Sequence, residues 1–202
     1  AAAAAAWHAA LARVAGTVTG AVIEDYGKGA VTQAAVDQLL ATCRAARVPV
    51  GYDPKEDHAL EVAGIALATP NRREACLAAG LQEPALLPPP LEDKVLLAAA
   101  RKLLEIWQPE LLAVTLGPDG MLLFDRAGRR DLIPTVAREV FDVSGAGDTV
   151  IATALLARVA GAAPVEAALL ANLAAGVVVG KVGTATCSMA ELRAALADWT
   201  PS

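Results

Sequence analysis

Aromatic side chains are scarce, at 3% of residues, so a core here must be assembled from Ala, Val and Leu. Cysteine is also rare. Cys43, Cys76 and Cys187 are widely spaced with no C-x-x-C pair, which excludes a disulfide framework and reads as free thiols in a reducing, cytoplasmic setting. The two histidines, His8 and His58, show no metal-ligand spacing and are expected at the surface. Basic runs are missing, and no aromatics interleave with Lys or Arg; with a net charge of −5, that argues against a nucleic-acid partner. The longest apolar stretch, around residues 165–179, is interrupted by Glu166, Asn172 and Gly176, so a buried helix is expected rather than a membrane span. The opening alanines lack the basic and leucine-rich regions of a secretory signal. Neither GxxxxGK[ST] nor GxGxxG occurs, which argues against P-loop NTPases and nicotinamide enzymes.

What is present is a chain of 202 residues, 55% hydrophobic and 19% charged, enough for one well-cored domain. Residues 1–202 are read as that single domain, with the first six alanines carrying no fold information and standing as possible placeholders for unidentified residues. Short apolar runs at 17–25, 48–52, 64–68 and 111–116 predict strands that end in polar loops. Between them, helical spacing is expected from an N-cap at Thr32 to Ala46, from Asn71 to about Ala79, and over 91–107. The proline-rich stretch 81–90 reads as a surface loop. Residues 121–125 and 131–136 predict a hairpin around Gly128, and three helices are expected over 146–160, 164–181 and 188–199. This alternation predicts an α/β fold with a mostly parallel sheet covered on both faces. Ligands on such sheets sit at the C-terminal strand edge, where Asp25, Asp53, Asn71 and Gly117 fall.

The strongest chemical signal is Phe141-Asp142-Val143-Ser144-Gly145-Ala146-Gly147-Asp148-Thr149. A Gly-rich turn leading into an apolar helix offers free N–H groups and the positive end of a helix dipole to a phosphoryl group. A carboxylate inside that turn, Asp148, is suited to accept a proton from a hydroxyl aligned on the γ-phosphate. The structural alternative is an ordinary turn with an acid in the first helical turn. Asn71 with Glu74 fits a capping box, a role compatible with a second one at a metal.

D-V-S-G-A-G-D-T resembles the second signature of the ribokinase (pfkB-type carbohydrate kinase) family, and Asn71-Arg72-Arg73-Glu74 its N-x-x-E motif. More narrowly, E-D-Y-G-K-G-A (24–30), D-P-K (53–55), T-P-N-R-R-E (69–74), 142–153 and 172–186 resemble the D-glycero-D-manno-heptose 7-phosphate kinase domain of bifunctional heptose kinase/adenylyltransferases. The resemblance implies a three-layer ribokinase-like α/β/α fold and ATP-dependent phosphorylation of a sugar, most narrowly at C1 of the heptose in lipopolysaccharide precursor synthesis. It implies backbone donation to the migrating phosphoryl group by Gly145, Ala146 and Gly147, with Asp148 as base. Asn71 and Glu74 would organise Mg²⁺, while Thr115, Gly117, Gly120, Asn172 and Lys28 would line ATP and Asp25 and Lys55 would face the sugar phosphate. Asp142, Ser144, Gly183 and Cys187 fall where some relatives hold a monovalent cation, and Cys187 is a poor stand-in for an oxygen ligand. The family begins with sugar-binding loops and a β lid that are not visible here, so the N-terminal part and lid are expected to be missing. That leaves room for a homodimer of the full-length protein. No H-x-G-H motif supports an adenylyltransferase activity. The rival readings are a kinase of another sugar or nucleoside and a non-catalytic nucleotide-binding fragment.

Overall fold

The computed structural model describes residues 2–56, 58–136 and 140–199. Six strands form one sheet in sequential order, β1 (Ala21–Glu24), β2 (Val50–Asp53), β3 (Leu67–Ala68), β4 (Leu111–Thr115), β5 (Met121–Asp125) and β6 (Arg130–Ile133). The first four run parallel, and β5 and β6 return as an antiparallel hairpin. This is the expected mostly parallel sheet. The first strand is shorter than the 17–25 expected. An alanine-rich helix α1 (Ala2–Ala15) precedes it, and Thr17 turns its N–H and hydroxyl back onto the Val14 carbonyl, both at 2.8 Å, so the chain becomes extended only after Gly20.

Alternation along the strands sorts the core into two layers. Leu112, Val114, Leu122 and Phe124 face one side; Leu111, Ala113, Met121 and Leu123 face the other. The first side is covered by α2 (Gln33–Ala46), α3 (Arg72–Ala78) and α4 (Lys94–Ile106), with Val36, Cys43, Ala75, Leu96 and Leu103 buried against it. Trp107 closes this layer by meeting Tyr52 edge-on, with ring centroids 5.3 Å apart. The second side is covered by α5 (Ala146–Val159) and α6 (Pro164–Val179), and α7 (Met189–Asp198) packs on α6. Gly51 permits α5 to sit close to the sheet, because a Cβ there would lie 3.3 Å from Ile151.

Capping fixes where the helices begin. Thr32 accepts from the Ala35 N–H, and Asp93 accepts from Val95 and Leu96. The buried Arg72 guanidinium pairs with Asp93, tying the start of α3 to the start of α4. No helix among the described residues is long and apolar enough to cross a membrane.

Candidate active site

The parallel pairing of β1 and β2 places Glu24 directly beside Asp53 at the ends of the two strands. Ile23 and Tyr52 point into the α2–α4 layer, so by alternation their neighbours Glu24 and Asp53 point toward α5. The first turn of α5 delivers Asp148 to the same place. One carboxylate oxygen from each of Glu24, Asp53 and Asp148 lies within 4.8 Å of the others. Acids this close suppress one another's ionisation. Burial, then the neighbouring Glu74, Glu24 and Asp148 charges, pushes Asp53 up to about 7 against the lowering effect of a 2.7 Å hydrogen bond from Thr69 Oγ1. Burial also raises Glu24, helped by the charge of Asp148 and a hydrogen bond with it. Glu24 Oε1 is buried without a hydrogen-bond partner. Hard oxygen donors at this spacing, one of them orphaned, fit a divalent cation such as Mg²⁺.

Tyr26 completes the cluster. Its hydroxyl donates to Asp148 Oδ2 at 2.6 Å, and that bond holds the phenol protonated, with its pKa pushed up to about 12. The loop that carries it is rooted by Asp25, which is only 4% exposed. Asp25 Oδ1 accepts from the Gly27 N–H at 2.9 Å, and Asp25 Oδ2 meets His58 Nδ1 at 2.5 Å. His58 is therefore not the unpartnered surface residue expected: its imidazole is half-buried against a buried carboxylate. Both oxygens of Asp25, expected to face the sugar, are engaged in fixing this loop.

The Gly-rich turn forms as its composition requires. Gly145 takes φ 80°, the left-handed region, and caps α5. The Ala146 N–H, expected to face a phosphoryl group, bonds the Val143 carbonyl at 3.2 Å, while the N–H groups of Gly145, Gly147 and Asp148 have no acceptor among the described residues. Gly147 has its Cα beside Asp53, whose Oδ2 would lie 3.8 Å from an added Cβ. Thr149 tightens the turn by donating through both N–H and Oγ1 to the Gly145 carbonyl.

Asn71 and Glu74 form the expected capping box. Asn71 Oδ1 accepts from the Glu74 N–H at 2.9 Å, and Glu74 Oε2 accepts from the Asn71 N–H at 2.8 Å. Burial raises the Glu74 pKa, opposed by the Asn71 bond and by the charge of Lys55. Asn71 bridges to Thr115, so N-x-x-E and the end of β4 are neighbours. Gly117, at φ 57°, opens the following turn. Gly120 has a structural reason of its own: at φ 87°, an added Cβ would meet the Ile133 carbonyl at 2.1 Å. Asn172, buried on α6, donates to the Pro134 carbonyl at 2.6 Å and so holds the segment after β6. Lys28 and Lys55 are exposed on loops flanking the acids, and the Lys55 stem lies alongside Gly27. A cleft of about 840 Å³ on the α2–α3 side of the sheet shares Lys55, His58 and Glu74 with this region. At the suggested monovalent-cation position, Asp142 is held low by hydrogen bonds from Ser144 and from the Gly183 backbone, and Cys187 Sγ donates to the Ser188 carbonyl.

Sequence reasoning missed Glu24, Tyr26 and Asp53 as members of one cluster. The signal was there in the strand alternation: Gly51 and Asp53 share one face of β2, and Val22 and Glu24 share the same face of β1.

Comparison with known proteins agrees with this architecture. The chain is 44% identical over 178 residues to the bifunctional protein HldE of Desulfatibacillum aliphaticivorans, covering 88% of this chain and 35% of that protein. It is 45% identical over 175 residues to the protein of the same name from Paramagnetospirillum magneticum, covering 87% and 34%. The chain thus spans about a third of the length of the curated relatives it matches. Among solved structures, Arabidopsis thaliana ribokinase complexed with ribose and ATP superposes with a TM-score of 0.78 at 20% identity, covering 94% of this chain and 59% of that one. Escherichia coli phosphofructokinase-2 in complex with fructose-6-phosphate gives 0.72 at 19% identity, over 94% of this chain and 60% of that one. These two establish a ribokinase-like fold, larger in the solved proteins than here. Residues 8–191 match the pfkB family of carbohydrate kinases, and the chain belongs to that family.

Proposed function

We propose that this chain is the ATP-binding and phosphoryl-transfer part of a sugar kinase whose acceptor is D-glycero-D-manno-heptose 7-phosphate, phosphorylated at C1. The observation that carries the transfer chemistry is the meeting of Asp148 with the unengaged N–H groups of Gly145, Gly147 and Asp148 in one helix turn. The N–H groups stabilise charge on the equatorial oxygens of the moving phosphoryl group. Asp148 takes the proton of the sugar hydroxyl as its oxygen attacks.

Glu24 and Asp53 would hold the divalent cation, with Asn71 and Glu74 ordering its water shell. Mg²⁺ bound there would supply positive charge against the phosphate oxygens. The capping box makes this second shell rigid, since neither side chain can rotate without unmaking the start of α3. Thr115 and Gly117 border the nucleotide on one side, and Asn172 supports the other through Pro134. Lys28 and Lys55 supply positive charge toward the phosphates of ATP or sugar, in a chain that is otherwise acidic. Heptose as acceptor is supported by the motif run from E-D-Y-G-K-G to residue 186 together with the HldE relatives.

ADP release from ATP and Mg²⁺ tests this reading, with heptose 7-phosphate beside ribose and fructose 6-phosphate as acceptors. Heptose-dependent release that falls at least 10²-fold in Asp148→Asn, with nucleotide affinity retained, is expected. Near-normal kcat in that variant would remove Asp148 as base. ATP binding without turnover on any sugar would favour a nucleotide-binding fragment.

A further inference from the structure

We propose that the Tyr26 hydroxyl is a placeholder for the acceptor: it occupies on Asp148 Oδ2 the position that the sugar hydroxyl takes over on binding. The inference rests on the reading of Asp148 as the base. Before transfer, the acceptor O–H must donate to the base at about 2.6–3.2 Å. Tyr26 Oη already makes that bond, at 2.6 Å, with the same donor chemistry.

The setting suits displacement better than permanent support. A residue that fixes a catalytic carboxylate for good is itself locked by packing, yet Tyr26 is 55% exposed and, among the described residues, its side chain hydrogen-bonds only Asp148. Its loop is rooted at Asp25, which is buried and doubly held, while Gly27 and Gly29 on the outer side adopt φ 63° and 79°. The tip can therefore swing without disturbing β1. Until the acceptor arrives, the phenol shields the base from water, so that ATP bound alone is not hydrolysed. The acceptor must break this bond to enter, which weakens its apparent affinity.

Tyr26→Phe separates this role from simple support. Placeholder behaviour predicts an acceptor KM lowered about three- to tenfold, the worth of a displaced hydrogen bond to a charged group in part. ATP hydrolysis without acceptor should rise, while kcat and the KM for ATP stay put. A fall in kcat with unchanged acceptor KM would overturn it and make Tyr26 a fixed support. A readout independent of turnover is the ¹³Cζ resonance of Tyr26, one of two tyrosines, the other being the buried Tyr52. With a non-hydrolysable ATP analogue bound, that resonance should move on adding heptose 7-phosphate, toward the position that Asp148→Ala gives without sugar. No shift with heptose 7-phosphate, ribose or fructose 6-phosphate, or no effect of Asp148→Ala, overturns the proposal. A shift with sugar beside undiminished turnover in Asp148→Asn would instead sink the base assignment alone.

Discussion

At the residue scale the clearest consequence of the acid cluster is a stability that depends on pH. The Asp53 carboxyl has an ordinary value of 3.8, and the folded protein raises it to about 7. Between those values the folded state binds a proton that the unfolded chain has released, so stability falls as pH rises from about 3.8 to 7. Asp53→Asn removes that titration and keeps an oxygen for the Thr69 hydroxyl. The variant is expected to melt above the wild type at a pH beyond 7, with the difference closing as the pH approaches 4. Added Mg²⁺ should raise the melting temperature of the wild type on the alkaline side and do little for Asp53→Asn. Thermal melts with and without the cation check both arms, and an offset independent of pH would mean that Asp53 is not the titrating group.

At the scale of elements, the motif that starts α3 caps the helix and has a proposed second role at the cation, and substitution can part the two. Asn71→Ala removes the cap and is expected to cost about 1 kcal/mol in urea unfolding. Asn71→Ser keeps a capping box with Glu74, so stability should hold. If Asn71 also orders the cation's shell, the serine variant still loses about tenfold in kcat; full activity would leave the residue as a cap alone. Local capping also explains what the sequence could reveal. The boundaries of α2 and α3 were legible because Thr32, Asn71 and Glu74 act within a few residues of themselves. The strand at 17–25 was drawn too long because Thr17 is claimed by the end of α1, a helix given no weight in a run of alanines. The Gly-rich turn was legible as the start of a helix, with Asp148 in its first turn. Its partners were not: Tyr26 lies 122 positions away in sequence, and Glu24 meets Asp53 only through the register of β1 on β2. Asp25 and Lys55 stood out as charged residues at strand ends, yet the pleat turns the residue one place earlier on β1, and two places earlier than Lys55 on β2, toward α5. For His58 no local pattern signals its contact with Asp25, 33 residues upstream.

On the scale of the whole molecule, the sheet divides the work. Its α5–α6 side holds the acids and the Gly-rich turn, and its α2–α4 side holds the bulk of the large apolar core that keeps the strand ends in register. Among the described residues β1 is an outer strand, four residues long, that pairs with β2 on one side alone. Like charges directly opposite one another weaken a strand pair, so Glu24 beside Asp53 works against the pairing that creates it. A parallel pair also closes slowly, because α2 must first be folded across the face before β1 and β2 can meet. On the reading that these acids take a cation, its binding would be a clock for assembly. Terbium, a hard ion with the same taste for carboxylate oxygen, should show tyrosine-sensitised emission during refolding only after the crossover has closed, trailing the far-ultraviolet signal of the helices. Emission that rises together with the helices would mean that the acids gather in an earlier, looser intermediate. In the expected order, the chain gains its chemistry at the last step of its folding, and a misregistered sheet identifies itself by staying dark.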